Sequence, residues 1–420
     1  MTPSDSPADP FQPRSTIVRT LVERGYIHQV TDLPGVDRAF AGRIVPVYAG
    51  FDATADSLHV GHLVPIMALR RLQQAGHRPI VLIGGGTTRI GDPSFRSAAR
   101  PMLSEGEIAA NVAGIRKVFE RLLTFGDRPT DAVMVNNADW LDRMAWIDML
   151  RDIGKHFSVN RMLSFDSVKT RLEQQENLSF LEFNYMILQA VDFLELFRRT
   201  GCRVQLGGGD QWGNIVGGVD LLRRIEGQEV FGMTTPLLTT ASGAKMGKTA
   251  AGAIWVNGDR LSPYDYWQFW RNAEDADVVR FLKLFTDLPL DEIEILGRAE
   301  GAELNAVKER LAHEATALVH GADAARQAQA TARQAFGAGE AAEGLPAVML
   351  GDAERADGVA LIDLLVRAGL ASSKSEARRA ISGRGVRLDG EVVEEAETIV
   401  AIGARPIRLS LGRKRHAVVK

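Results

Sequence analysis

The chain has 420 residues, 45% hydrophobic and 25% charged, with a formal net charge of −3 and one cysteine. That length exceeds one small core and implies two or three domains of an ordinary globular protein. The lone Cys202 excludes an intramolecular disulfide and fits a cytoplasmic setting, and no apolar run approaches membrane-spanning length, which argues against a membrane partner.

Residues 1–15 are rich in Pro, Ser and Asp without an apolar h-region, and read as a disordered lead-in instead of a signal peptide. The first strong element is a strand through Val45, Val47 and Tyr48, then a polar turn and a helix over about 61–74. This stretch contains Tyr48-Ala-Gly50-Phe-Asp52-Ala-Thr54 and His59-Val-Gly61-His62. A helix N-terminus offers unpaired N–H groups and a positive dipole end, a natural seat for phosphate. His59 and His62, three apart, share one side of the first turn, and Gly61 allows close backbone approach. Taken alone, the pair has two rival readings: a metal pair, weakened by the missing Glu and nearby Cys, or a capping, partly buried pair.

Strands are expected at 79–83, 132–135 and 204–206, separated by helices whose starts carry the capping boxes Ser104-x-x-Glu107 and Ser179-x-x-Glu182. This alternation predicts a Rossmann-like, doubly wound parallel sheet over 16–260, with ligands outside the carboxyl ends of the strands. Glycine triplets at 84–86 and 207–209 follow two strands but match neither the P-loop nor the dinucleotide fingerprint. Between them, Tyr185, Gln189 and Asp192 fall at i, i+4 and i+7 on an otherwise apolar helix, a pattern that lines a pocket. Lys245 and Lys248 lie in a Ser/Gly/Thr-rich segment suited to a loop that sets two ammonium groups on polyphosphate.

Residues 261–336 open on Ser262-Pro263 and read as an α-helical domain; 337–355 read as a linker. The region 356–420 reads as a small α+β module with two helices, the second capped by Ser373, and a hairpin at Asp389-Gly390. Residues 361–420 hold 12 Lys and Arg against 7 Asp and Glu, and Lys374, Arg378 and Arg379 form a basic helix face. A basic module on an acidic body points to a polyanionic partner.

The histidine and lysine signatures together resemble those of class I aminoacyl-tRNA synthetases. Five ordered motifs sharpen this: Tyr-x-Gly-Phe-Asp-x-Thr, Gly-Asp92-Pro-Ser, Asn184-Tyr185-x-x-x-Gln189-x-x-Asp192, Gly-Gly-Asp210-Gln211-Trp-Gly-Asn214 and Lys-x-Gly-Lys-Thr. That set is similar to the bacterial tyrosyl-tRNA synthetases over nearly the whole chain, including an S4-like RNA-binding domain at 356–420. The resemblance implies a tyrosine–tRNA ligase that forms tyrosyl-adenylate from L-tyrosine and ATP and then charges tRNA(Tyr). It implies that Tyr48 and Asp192 bind the phenolic hydroxyl of tyrosine, that Tyr185, Gln189 and Asp92 hold its ammonium group, and that Gln211 positions the reacting group.

It further implies that Thr54 and His59 contact the γ-phosphate and that Gly50, Asp52, Gly61, His62 and Asp210 help hold the nucleotide, with Lys245, Lys248 and Thr249 on the pyrophosphate. Arg96 and Arg100 are candidate ATP contacts, although relatives usually carry Lys at the first position and a guanidinium fork is not an ammonium point charge. Mg2+ accompanies ATP through phosphates and water, with no tightly bound metal. The helical domain would bind the anticodon arm of tRNA, and Lys374, Arg378 and Arg379 would contact tRNA. Relatives are homodimers, and 146–159 matches their subunit-contact region. Pro65 lies just inside the histidine helix, where a kink is expected.

Overall fold

Residues 11–94, 103–243, 246, 248–249, 252–337, 345–401, 406–412 and 415–420 are described in a computed structural model. The chain divides into two compact units, one of 1–238 with 283–285, the other of 239–282 with 286–420.

The first unit is built on six strands: β1 (Gln29–Val30), β2 (Pro46–Phe51), β3 (Arg78–Ile83), β4 (Val133–Asn136), β5 (Val204–Gly208) and β6 (Phe231–Thr235). Their order is β1-β6-β5-β2-β3-β4, with all pairs parallel except the edge strand β1, which runs antiparallel to β6. β2 therefore lies between β3 and β5, with Tyr48 in register with Ile80 and Gln205. The central strands are continuous apolar runs because both faces are covered. Tyr48, Ile80 and Leu82 pack toward Met186, Val191 and Phe193 of the helix Phe180–Thr200. On the opposite face of β2, Phe51 meets Phe119 of the helix Glu105–Leu122, with ring centroids 4.9 Å apart.

Local chemistry sets the helix ends. Ser104 with Glu107, and Ser179 with Glu182, form the two expected capping boxes. The helix Phe180–Thr200 stops where Gly201 takes φ 68°, a left-handed conformation that glycine adopts at little steric cost. Its start is fastened by Arg171, whose Nη1 donates to Glu182 at 2.9 Å with both side chains almost fully buried. The histidine helix Val60–Gln74 runs through Pro65 without a break, and the proline lies near enough to the N-terminus that little of the helical ladder is lost.

In the second unit, Ser262 caps the helix Pro263–Arg271, which contributes the buried rings Tyr266, Trp267 and Trp270 to a helical layer with Glu303–His320 and Ala322–Gly337. The C-terminal module has its own core, which includes Leu361, Leu364, Leu365, Ile381 and Leu409. Ser373 caps the helix Lys374–Ser382, and Val386–Leu388 pairs antiparallel with Glu391–Val392 across the expected Asp389-Gly390 turn. Within the stretch read as a linker, Ala347–Val348 instead joins this sheet, parallel to the strand Arg415–Val419. Two residues of alternating exposure are too short for a pattern to reveal from sequence.

Candidate active site

Tyr48 is 1% exposed on β2, its ring 5.4 Å from that of Phe193, and its hydroxyl makes no hydrogen bond among the described residues. A buried hydroxyl left in this way carries a desolvation cost that a ligand can relieve. Burial, with the neighbouring Asp192 and Cys202, holds the phenol well above its usual range, so it stays protonated. Asp192 is 2% exposed; its Oδ1 accepts from Trp140 Nε1 at 2.8 Å and its Oδ2 from Asn137 Nδ2 at 3.0 Å. Burial raises this carboxyl to about 7, with the two donors opposing the rise.

Along the same helix, the Tyr185 hydroxyl donates to Asp52 Oδ2 at 3.1 Å. Burial and the Asp52 charge push this phenol well above its usual range. Gln211 Nε2 donates to Asp92 Oδ2 at 2.8 Å and to Asp210 Oδ2 at 3.3 Å, while Asp92 Oδ1 accepts from the Ser94 amide. Asn214 Nδ2 donates to both Gln189 Oε1 and Gln211 Oε1, at 3.0 and 3.2 Å. Six of the residues expected around the amino acid or nucleotide thus fall into two hydrogen-bonded groups, Tyr185 with Asp52, and Gln189, Gln211, Asp92 and Asp210.

At the histidine helix the two side chains cap the helix reciprocally. The Gly61 amide donates to His59 Nδ1 at 3.1 Å and the His59 amide to His62 Nδ1 at 3.2 Å, with the rings 4.0 Å apart. Because each Nδ1 accepts, a neutral ring carries its proton on Nε2, so both rings are fixed as Nε2–H donors. A Cβ on Gly61 would lie 2.9 Å from His59 Cε1, so this glycine makes room for the imidazole. The loop before the helix is tied down by the Ala53 amide on Thr88 Oγ1 (2.8 Å) and by Asn111 Nδ2 on the Ala53 carbonyl (2.8 Å). Thr54 is exposed, and Gly50 is the single exposed residue of β2, an opening to the backbone at the carboxyl end of the strand.

Lys245, Arg96 and Arg100 lie outside the described residues; Lys248 and Thr249 form a short strand paired antiparallel with Gly252–Ala253 in the second unit. Lys374, Arg378 and Arg379 are exposed, with Lys374 Nζ 2.6 Å from Asp363 Oδ1. Among the described residues no group of three or more His, Cys, Asp and Glu side chains gathers as a metal site, and no helix is long and apolar enough to cross a membrane.

Sequence reasoning passed over Asn137, Trp140, Thr87 and Asn111. Asn137 is fully buried directly after β4, and two consecutive asparagines at the carboxyl end of that strand were the available signal.

Comparison with known proteins places these residues in context. The family described as tRNA synthetases class I (W and Y) matches residues 42–337, and the S4 domain matches 361–405. The chain is 57% identical over 412 residues to a tyrosine–tRNA ligase of Dinoroseobacter shibae, covering 98% of this chain and 99% of that protein. It is 58% identical to one of Zymomonas mobilis, covering 97% and 98%. A crystal structure of a C-terminally truncated mitochondrial tyrosyl-tRNA synthetase of Aspergillus nidulans aligns with a TM-score of 0.70 and 34% identity, covering 77% of this chain and 95% of that one.

Proposed function

The chain belongs to the class I tRNA synthetases of the W and Y family, and from that membership we infer that it is a tyrosine–tRNA ligase. It activates L-tyrosine with ATP to tyrosyl-adenylate and pyrophosphate, then transfers the tyrosyl group to the 3′-terminal adenosine of tRNA(Tyr). The observation that carries the choice of amino acid is the buried pair of polar groups on facing elements, the unpartnered Tyr48 hydroxyl and the Asp192 carboxyl. Both call for a ligand bearing a hydroxyl, since an apolar ring would leave them unsatisfied. Strong rejection of phenylalanine on this principle belongs to the established chemistry of tyrosyl enzymes as a group.

In this reading Tyr48 and Asp192 bind the phenolic hydroxyl, while Tyr185, Gln189 and Asp92 receive the ammonium group and Gln211 orients the reacting end. The tyrosine carboxylate is already ionised at neutral pH, so attack on the α-phosphate needs no general base. Rate acceleration comes from alignment and from neutralising charge that grows on phosphate. The capped His59 and His62 present Nε2–H donors at a helix N-terminus, where phosphate is favoured; Thr54 and Asp210 join them. Lys245, Lys248 and Thr249 act on the departing pyrophosphate. Mg2+ would arrive with ATP, held through the nucleotide, and would supply further charge neutralisation. A cytoplasmic location belongs to this reading.

A homodimer is part of the same reading. Trp146, Ile147, Leu150, Val159, Phe180 and Leu181 expose 42–70% of their surface, and the rings of Trp146 and Phe180 lie 6.2 Å apart, which joins two segments into one apolar patch.

Tyrosine-dependent ATP–pyrophosphate exchange tests the assignment. Exchange supported by tyrosine and not by tryptophan is expected; exchange with tryptophan alone would reject it.

A further inference from the structure

We propose that Thr87 is a positioning residue that couples the recognition of the phenol to that of the ammonium group, an inference that rests on the tyrosine reading above. Thr87 opens the short turn Thr87–Arg89 after β3, is 2% exposed, and touches neither end of the pocket directly in the reading given above. Its hydroxyl oxygen accepts from Asn137 Nδ2 at 3.0 Å and its proton goes to Asp52 Oδ1 at 2.9 Å. A continuous chain results: Asp192, Asn137, Thr87, Asp52, Tyr185.

The direction of every proton in that chain is fixed. The Gly86 amide donates to Asn137 Oδ1 at 2.8 Å, which settles the orientation of the side-chain amide. Both Asn137 Nδ2 protons are then committed, one to Asp192 Oδ2 and one to Thr87 Oγ1. Thr87 has to donate to Asp52, and Asp52 accepts from Tyr185 on its other oxygen. The Tyr185 proton therefore points at Asp52, and its oxygen lone pairs are left to accept from an ammonium group. At the far end each Asp192 oxygen accepts one hydrogen bond, from Trp140 and from Asn137, and the carboxylate keeps acceptor capacity for a phenolic O–H.

A second observation supports the hydroxyl as a built feature. A Cβ at Gly84 would lie 2.2 Å from Asp52 Oδ1 and 2.5 Å from Thr87 Oγ1, so the glycine clears the space in which the two oxygens meet. Thr88 next door serves the other side of the loop, accepting the Ala53 amide. Adjacent threonines thus divide the work, one on the carboxylate of Asp52 and one on the backbone beyond it.

The test uses the full-length protein with Thr87→Val, which keeps the shape and removes the oxygen, and Thr87→Ser, which keeps the oxygen. ATP–pyrophosphate exchange is measured with tyrosine and with phenylalanine. For Thr87→Val, kcat/KM for tyrosine is expected to fall by on the order of tenfold or more, largely through KM, with a smaller loss for phenylalanine and KM for ATP within about twofold. Thr87→Ser should recover most of the difference. An unchanged tyrosine-to-phenylalanine ratio in Thr87→Val, or Thr87→Ser behaving like Thr87→Val, would overturn the coupling while leaving the ligase assignment intact. Wild-type protein without tyrosine-dependent exchange would sink both. Should Thr87→Val fail to fold, Thr87→Ala removes the same oxygen without an added methyl and is read by the same criteria.

Discussion

Asp192 shows what burying a carboxyl costs the folded protein. Its carboxyl is raised to about 7 against an ordinary value of 3.8, chiefly because it is buried. The folded chain therefore keeps a proton that the unfolded chain has already lost between those values. Stability falls as pH rises through that window, by on the order of 4 kcal/mol once both states are ionised. Asp192→Asn should flatten this slope, so that urea unfolding midpoints at pH 5 and pH 8 differ less in the variant than in the wild type. Identical slopes would mean that this carboxyl does not feel its burial. The carboxylate itself was legible in the sequence, because the i, i+4, i+7 stripe on an apolar helix marks it. Its partners were not. Asn137 and Trp140 lie more than fifty positions away, and Thr87 further still, and only the parallel crossover that sets β4 beside β3 brings them to the helix. No local periodicity records such a meeting.

At the level of elements, the histidine helix carries one role in its hydrogen bonds and a second in the proposed function. The pair, read from sequence as either a metal pair or a cap, is a cap by its hydrogen bonds, and the phosphate contact belongs to the proposed function. The two roles separate experimentally. His59→Ala removes the acceptor for the Gly61 amide and should lower stability by about 1 kcal/mol while slowing adenylate formation. His59→Asn can restore the cap without restoring the imidazole, so its unfolding midpoint should return toward wild type while exchange stays slow. If stability and exchange recover together, the ring has no role beyond capping. Helix starts were the most legible elements, since Ser104, Ser179, Ser262 and Ser373 each announce one and each is found at a cap. The shortest strands were the least legible. Gln29–Val30 and Ala347–Val348 are held by pairing with distant partners, and nothing in two residues advertises it.

For the whole molecule, activation and RNA binding draw on separate cores. Where the chain is cut matters, because Ala347–Val348 is a strand of the C-terminal sheet. Truncation at 355 would strand it without its partner Arg415–Val419, whereas truncation before Leu345 removes the sheet entire. The shorter protein should retain tyrosine-dependent exchange within about twofold and lose tRNA charging by on the order of tenfold or more, with a shallower salt dependence of tRNA binding. Unchanged charging would take the RNA-binding role away from this module.

The register of β2 between β3 and β5 has one more consequence. Tyr48 faces the helix Phe180–Thr200, while Val47 and Ala49 alternate to the other side. A slip of one residue would set a small apolar side chain in the pocket and drive the phenol into the opposite layer. On the proposed role of Tyr48, such a chain would lose one of the two polar groups set against the phenolic hydroxyl and would hold tyrosine less well.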